Sequence, residues 1–274
     1  MKKRLLPALA LLLFIAYACQ PDQESKSQLD VGIERGNFKP GMIDTILFHP
    51  TEPYSFGEYS GPKPFFVKIW VPVRTTSEKS LTYSDLFKFE DLDPKLIPLY
   101  DTLNKGYIGY VRHRLTKTIG DEDSTLKSKS EQMFDQLSRL TIRSRYTEKP
   151  EGKFPVIVYH HGYGGWSHEN FLFAEYMAAN GFVVIGTNYE WPNHEGGWDE
   201  GKSDLKYILN FAKHLPYADS TQVFAVGHSW GAQSVLYYDS APAQPFQSTI
   251  ALHTTMRDRF HWTLSLSGGR LFQK

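Results

Sequence analysis

The sequence predicts an α/β fold, a mostly parallel sheet with helices on both faces, on three observations. The stretches FPVIVYHHG, FVVIGTNY, TQVFAVGHS and QSTIALHTT have the length and the apolar, β-branched content of buried strands. The segments between them carry apolar residues at helical spacing, and strands that alternate with helices require a parallel sheet covered on both sides. Finally, the third strand passes into a helix within a few residues, through Gly227-His228-Ser229-Trp230-Gly231.

The elements follow in order. Met1 to Arg4 supply positive charge, an apolar run follows that is too short to span a bilayer comfortably, and small residues lead to Cys19. That order is expected of a signal peptide over residues 1–19. Ala16-Tyr17-Ala18-Cys19 resembles a bacterial lipobox, whose cysteine is lipidated and becomes the mature N-terminus; Tyr17 is bulkier than such a box usually carries. The expectation is an exported, cell-envelope lipoprotein held to the membrane by an N-terminal lipid anchor, and the single cysteine of the chain leaves no intramolecular disulfide. Residues 20–40 are polar and without periodicity, and read as a flexible tether. One domain is expected over 41–274.

That domain opens with GMIDTILFHP and FFVKIWVPV, which read as strands linked by a segment punctuated by Pro50, Pro53, Gly57 and Gly61. Residues 78–150 read as a helical insertion. Leu126, Met133, Phe134, Leu137 and Leu140 give it a weak apolar stripe, and it serves either as a lid or as a packed peripheral excursion. SHENFLFAEYMAANG is expected to be a helix capped by Ser167 and stopped at Gly181. In SDLKYILNFAKHL, Leu205, Ile208, Leu209, Ala212 and Leu215 share one face. At 274 residues with 41% hydrophobic content, the chain can build a sizeable core. Its 30 basic residues balance 30 acidic ones, which gives no electrostatic case for nucleic acid as a partner.

The strand-to-helix turn carries chemistry. A residue at its apex is forced into a strained backbone, and Gly227 and Gly231 remove the Cβ atoms that would clash. The Ser229 hydroxyl is then held clear of the sheet at a helix N-terminus, where backbone N–H groups favour developing negative charge. The Trp230 N–H would face the oxyanion of a tetrahedral intermediate. His160 to Gly165, HHGYGG, ends an earlier strand, and the Tyr163 N–H is the candidate second donor. His160 and His161 invite a metal reading with His168 and His194, but neighbouring strand residues point to opposite faces and no carboxylate–His spacing follows. Neither a metal nor another cofactor is expected.

Together these motifs, FPVIVYHHGYGG, FAEYMAANGFVVIGTNY, GHSWGAQSVL and IALHTT, resemble the α/β-hydrolase superfamily. Within it they are most similar to the platelet-activating-factor acetylhydrolase group and its dienelactone-hydrolase-like relatives. The resemblance covers residues 153–252 and implies a serine ester hydrolase acting on acyl groups of small or lipid-like alcohols. Ser229 would be the nucleophile and Tyr163 and Trp230 the backbone oxyanion donors, while His228 is read as packing. Such folds order their triad as serine, acid, histidine. After Ser229 the candidates are Asp239, which rides away on the helix, then Asp258 with His253 and His261 as bases. The position where the group carries its acid holds His253, and one short loop bearing both Asp258 and His261 places a triad poorly. Two further strand–helix units, roughly 60 residues at ~30 per unit, are expected after IALHTT and are not evident, so the C-terminal strands are expected to be missing. The alternative is a truncated or degenerate, non-catalytic lipid-anchored homologue that keeps the pocket; a thioesterase or peptidase on the same scaffold is the third reading.

Overall fold

The computed structural model describes residues 36–75, 79–89, 91–119, 124–147, 149–189, 198–239, 246–252, 263–266 and 269–272. Their strands form one nine-stranded sheet in the order β3-β1-β2-β5-β4-β6-β7-β8-β9. Its centre is the parallel block made by β5 (Val183–Gly186), β4 (Phe154–His160), β6 (Ala218–His228) and β7 (Ser248–Leu252). These are the four apolar runs of the sequence.

An antiparallel hairpin flanks the block on one side. β1 (Lys39–Phe56) and β2 (Tyr59–Val73) pair along most of their length and turn at Gly57, whose φ is 59°. The proline-punctuated link expected between two separate strands is thus part of the strands themselves. The prolines leave a register break between Phe48 and Pro53, where missing N–H groups interrupt the ladder. β1 also pairs in parallel with the short β3 (Arg145–Tyr146). Beyond β7 the sheet continues through β8 (Thr263–Leu266), antiparallel to β7, and β9 (Gly269–Phe272). The edge of β7 is therefore covered by an antiparallel hairpin, where the sequence showed no strand–helix alternation.

Side-chain alternation along the strands builds two cores. Val67, Ile69 and Val71 of β2, Val156 and Val158 of β4, and Val223 and Ala225 of β6 face α4 (Trp198–His214) and α5 (Trp230–Asp239). Leu205, Ile208, Leu209 and Ala212 of α4 are all buried there, as their spacing predicts, with Leu215 packed at the margin. On the other face Phe66, Trp70, Ile157, Tyr159 and Val226 meet α3 (Phe171–Ala179) and the insertion. Lys68 occupies an inward position on that face and is fully buried. Its ammonium donates to Asp44 Oδ1 and to the Lys88 carbonyl, both at 2.9 Å, and lies 4.4 Å from the Phe89 ring centroid. Asp44 is its cross-strand partner on β1, so the charge enters the core already paired.

The insertion contains α1 (Ile97–Ile119), α2 (Ser124–Arg139) and short 3-10 turns at Tyr83–Phe87 and Pro94–Leu96. In α2 the inward face is Ser130, Phe134 and Leu137, at i, i+4 and i+7; Met133 points away and is 45% exposed, which corrects its place in the expected stripe. The end of the insertion is fastened to α3: the Ser144 N–H and hydroxyl both donate to the buried Glu175 carboxylate at 2.6 Å, and Trp70 Nε1 donates to the same hydroxyl. Two boundaries differ from expectation. The cap of α3 is Asn170 instead of Ser167, because residues 166–169 form a separate buried turn first. The tether ends before residue 40: the Phe38 N–H donates to the Ala179 carbonyl, and its ring packs edge-on against Phe154.

Candidate active site

Ser229 stands between the last residue of β6 and the first of α5. Its φ is 52°, and among the described residues it is the only non-glycine with positive φ. A side chain held in this region costs about 1–3 kcal/mol and persists only where the surroundings dictate it. Those surroundings are the two glycines. A Cβ on Gly227 would lie 2.3 Å from the Gly231 carbonyl oxygen, and one on Gly231 would lie 2.2 Å from that of His160. The start of α5 therefore sits directly on the end of β4, and the chain can reach it only through a left-handed apex. The Ser229 N–H is consumed by the Leu252 carbonyl at 2.9 Å, which ties the apex to β7. It is half-buried, and among the described residues no side chain hydrogen-bonds its Oγ.

Trp230 begins α5, so its N–H belongs to the first helical turn, whose N–H groups no carbonyl of the helix itself accepts. Tyr163 occupies a tight turn closed by the Gly165 N–H on the Gly162 carbonyl at 3.0 Å, with Gly164 at φ 68°. The Tyr163 ring is 60% exposed and lies 6.1 Å from the Trp230 ring, so the two candidate oxyanion residues sit side by side. His253, Asp258 and His261 lie outside the described residues, as do Cys19 and His194.

The histidines near the loop are structural. Tyr189 N–H donates to His161 Nε2, so the proton is on Nδ1, which donates to the Gly162 carbonyl at 2.8 Å. His160 donates from Nδ1 to the His161 carbonyl and stacks on Tyr189 with centroids 3.8 Å apart. His168 is enclosed by Phe87, Tyr107 and Tyr83, and among the described residues neither ring nitrogen has a hydrogen-bond partner. Among the described residues no group of three His, Cys, Asp or Glu side chains is arranged to hold a metal ion.

Sequence reasoning missed Glu169 and misjudged His228. The turn after the candidate oxyanion loop brings the Glu169 carboxylate to 3.2 Å from His228 Nδ1, so the ring is hydrogen-bonded to a carboxylate, and forms an ion pair with it when protonated, instead of simply packing. The hydrogen bond to Glu169 raises the His228 pKa, against the opposing effect of its own partial burial. Burial alone would raise the Glu169 pKa; the bonds from His228 and the Gly162 N–H and the nearby His161 reverse this and lower it. No local signal in the sequence joins these two residues, which are 59 positions apart.

Over this loop lies α1. Tyr100 and Tyr107 pack on the Trp166 ring at 6.2 and 6.3 Å, and a Cβ on Gly164 would lie 2.9 Å from the Tyr110 ring. The insertion therefore roofs residues 164–168, immediately behind the candidate oxyanion turn.

Burial sets a pH expectation. It pushes the His160 pKa down from 6.5 to about 3, and lowers those of His161 and His168 as well. A histidine whose folded pKa lies below its unfolded value binds fewer protons when folded, so stability is lost as pH falls from about 6.5 toward about 3. Glu169 adds to this trend, while Glu175, whose pKa burial raises, opposes it. Thermal unfolding followed from pH 7 to pH 4 is expected to show a steadily falling midpoint; a flat profile would contradict the buried neutral assignments.

No protein-family model matches the sequence, and no curated protein sequence matches it. Solved structures do. A ferulic acid esterase from Streptomyces cinnamoneus superposes with a TM-score of 0.50 at 14% identity, covering 79% of this chain and 59% of its own. A dienelactone-hydrolase-like promiscuous phosphotriesterase from metagenomic libraries matches at 16% identity over 41% of this chain and 53% of its own, TM-score 0.37. Est1E from Butyrivibrio proteoclasticus matches at 19% identity over 35% and 39%, TM-score 0.31. The chain thus spans between 39% and 59% of the length of these structures. The strand order, the parallel centre, the left-handed serine between β6 and α5 and the esterase superposition lead to one conclusion: the chain has the α/β-hydrolase fold.

Proposed function

We propose that the protein is a serine carboxylic ester hydrolase acting on acyl esters of small or lipid-like alcohols, as in the acetylhydrolase group. One observation carries this reading: the left-handed backbone of Ser229, enforced by Gly227 and Gly231 at the sheet–helix junction. A folded protein keeps such strain where the side chain it presents has work to do. In the proposed reaction Ser229 Oγ attacks the ester carbonyl carbon and its proton passes to a general base. The carbonyl oxygen, now an anion, is held by the Tyr163 and Trp230 N–H groups. Collapse breaks the ester C–O bond, and the protonated base gives its proton to the departing alkoxide, which leaves as the alcohol. The same base then takes a proton from the water that attacks the acyl-serine and returns it to Ser229 Oγ as the acid is released. His253 or His261, with Asp258, are the base and acid candidates retained from the sequence. Turnover of p-nitrophenyl acetate and butyrate by the purified protein tests the reading; a folded protein without turnover favours the non-catalytic alternative.

We also propose that the mature protein begins at a lipidated Cys19, which would hold the domain at a membrane surface. Support comes from the charged start, the short apolar run and the small residues before the cysteine. No helix among the described residues is long and apolar enough to cross a membrane. Labelled fatty acid fed to expressing cells is expected in the wild type and absent from Cys19→Ala; unlabelled wild-type protein would refute the anchor.

A further inference from the structure

The oxyanion turn and the nucleophile turn come from different strands, and catalysis would require their N–H groups to be fixed relative to each other. The Glu169 side chain bonds both. Its Oε2 accepts the Gly162 N–H at 3.0 Å, His228 Nδ1 at 3.2 Å and the Tyr159 hydroxyl at 2.9 Å. Gly162 immediately precedes Tyr163, and His228 is two residues before Trp230. The two turns are also in direct contact: a Cβ on Gly162 would lie 2.8 Å from His228 Nδ1 and 3.2 Å from Ser229 Cβ. Tyr159, on β4, anchors the carboxylate to the rigid sheet, and the Asn170 amide donates to the same hydroxyl at 3.0 Å.

Resting on the esterase reading above, we propose that Glu169 is a positioning residue that sets the geometry of the oxyanion hole, by clamping the Tyr163 turn and the Ser229 elbow on one carboxylate oxygen. It touches neither substrate nor nucleophile. Its charge matters because all three contacts donate hydrogens, and a carboxylate oxygen accepts them more strongly than a neutral amide does. Glutamine has the same shape and can put its one acceptor oxygen at the same point, but that oxygen is uncharged, and its NH₂ faces donors if it rotates.

The test compares wild type, Glu169→Gln and His228→Asn. Each is followed by the rate of phosphonate labelling at Ser229, by kcat and KM on p-nitrophenyl acetate, and by thermal unfolding. Loss of one oxyanion donor costs roughly 10²–10³-fold in kcat, and displacing a donor without removing it is expected to cost about ten-fold or more. Both variants are expected to label and turn over at least about ten-fold more slowly, with KM within about two-fold of wild type, because the loss falls on the transition state. His228 is one-third exposed, so His228→Asn keeps the test available should Glu169→Gln at its more enclosed position fail to fold. Wild-type rates in either folded variant, or a loss confined to KM, would overturn the proposal. A folded wild type that itself takes no label would instead overturn the esterase reading beneath it.

Discussion

Ser229→Ala is expected to lower ester turnover by roughly 10⁶-fold in kcat, the scale on which removal of an activated serine acts in other serine hydrolases. Residual rate from the backbone oxyanion donors would remain and would be weak. The fold should survive. Ser229 Oγ accepts or donates no hydrogen bond among the described residues, and alanine meets the same left-handed strain as serine. Ser229→Gly sharpens the expectation, because glycine tolerates φ 52° without a Cβ penalty. It should be as inactive as alanine yet more stable than wild type by about 1 kcal/mol. Kinetics on p-nitrophenyl acetate with thermal unfolding of the three proteins measures both quantities. Unchanged turnover in either variant, or a stability loss in Ser229→Gly, contradicts the account of the elbow.

Gly231→Val is expected to destroy the fold locally and with it all turnover. The added Cβ would lie 2.2 and 2.4 Å from the carbonyl oxygens of His160 and His161. These are backbone atoms at the end of a central strand paired on both sides, so they cannot swing away as a side chain would. Relief requires separating α5 from β4, at a cost of about 3 kcal/mol or more. Circular dichroism and thermal unfolding check this. A Gly231→Val protein with the wild-type midpoint would mean that the helix start does not rest on β4.

The elbow was legible because its causes are local: five residues, a strand before, a helix after, and glycines where a Cβ cannot fit. The parallel centre was legible for the same reason, since a strand buried on both faces writes its burial into consecutive residues such as Val156 to Tyr159. What was hidden depends on distance. Glu169 reads as an ordinary acid near a helix start until folding brings His228 to it. Lys68 reads as a solvent-facing strand residue, and only the register with Asp44 explains its burial. The insertion was opaque because its inward aromatic residues are divided between elements, Tyr83 and Phe87 in a 3-10 turn and Tyr100 and Tyr107 on α1, and none of these elements carries a strong apolar stripe of its own. Aromatic rings from each converge on Trp166 and His168, a pattern that only the tertiary structure assembles.

If the strain at Ser229 presents an activated nucleophile, a fluorophosphonate incubated with the folded protein reacts at that position. Peptide mapping is then expected to find one adduct per chain, on the peptide containing Ser229, and none in Ser229→Ala. A cooperatively folded wild-type protein that takes no adduct, or takes it on another residue, would contradict that activation.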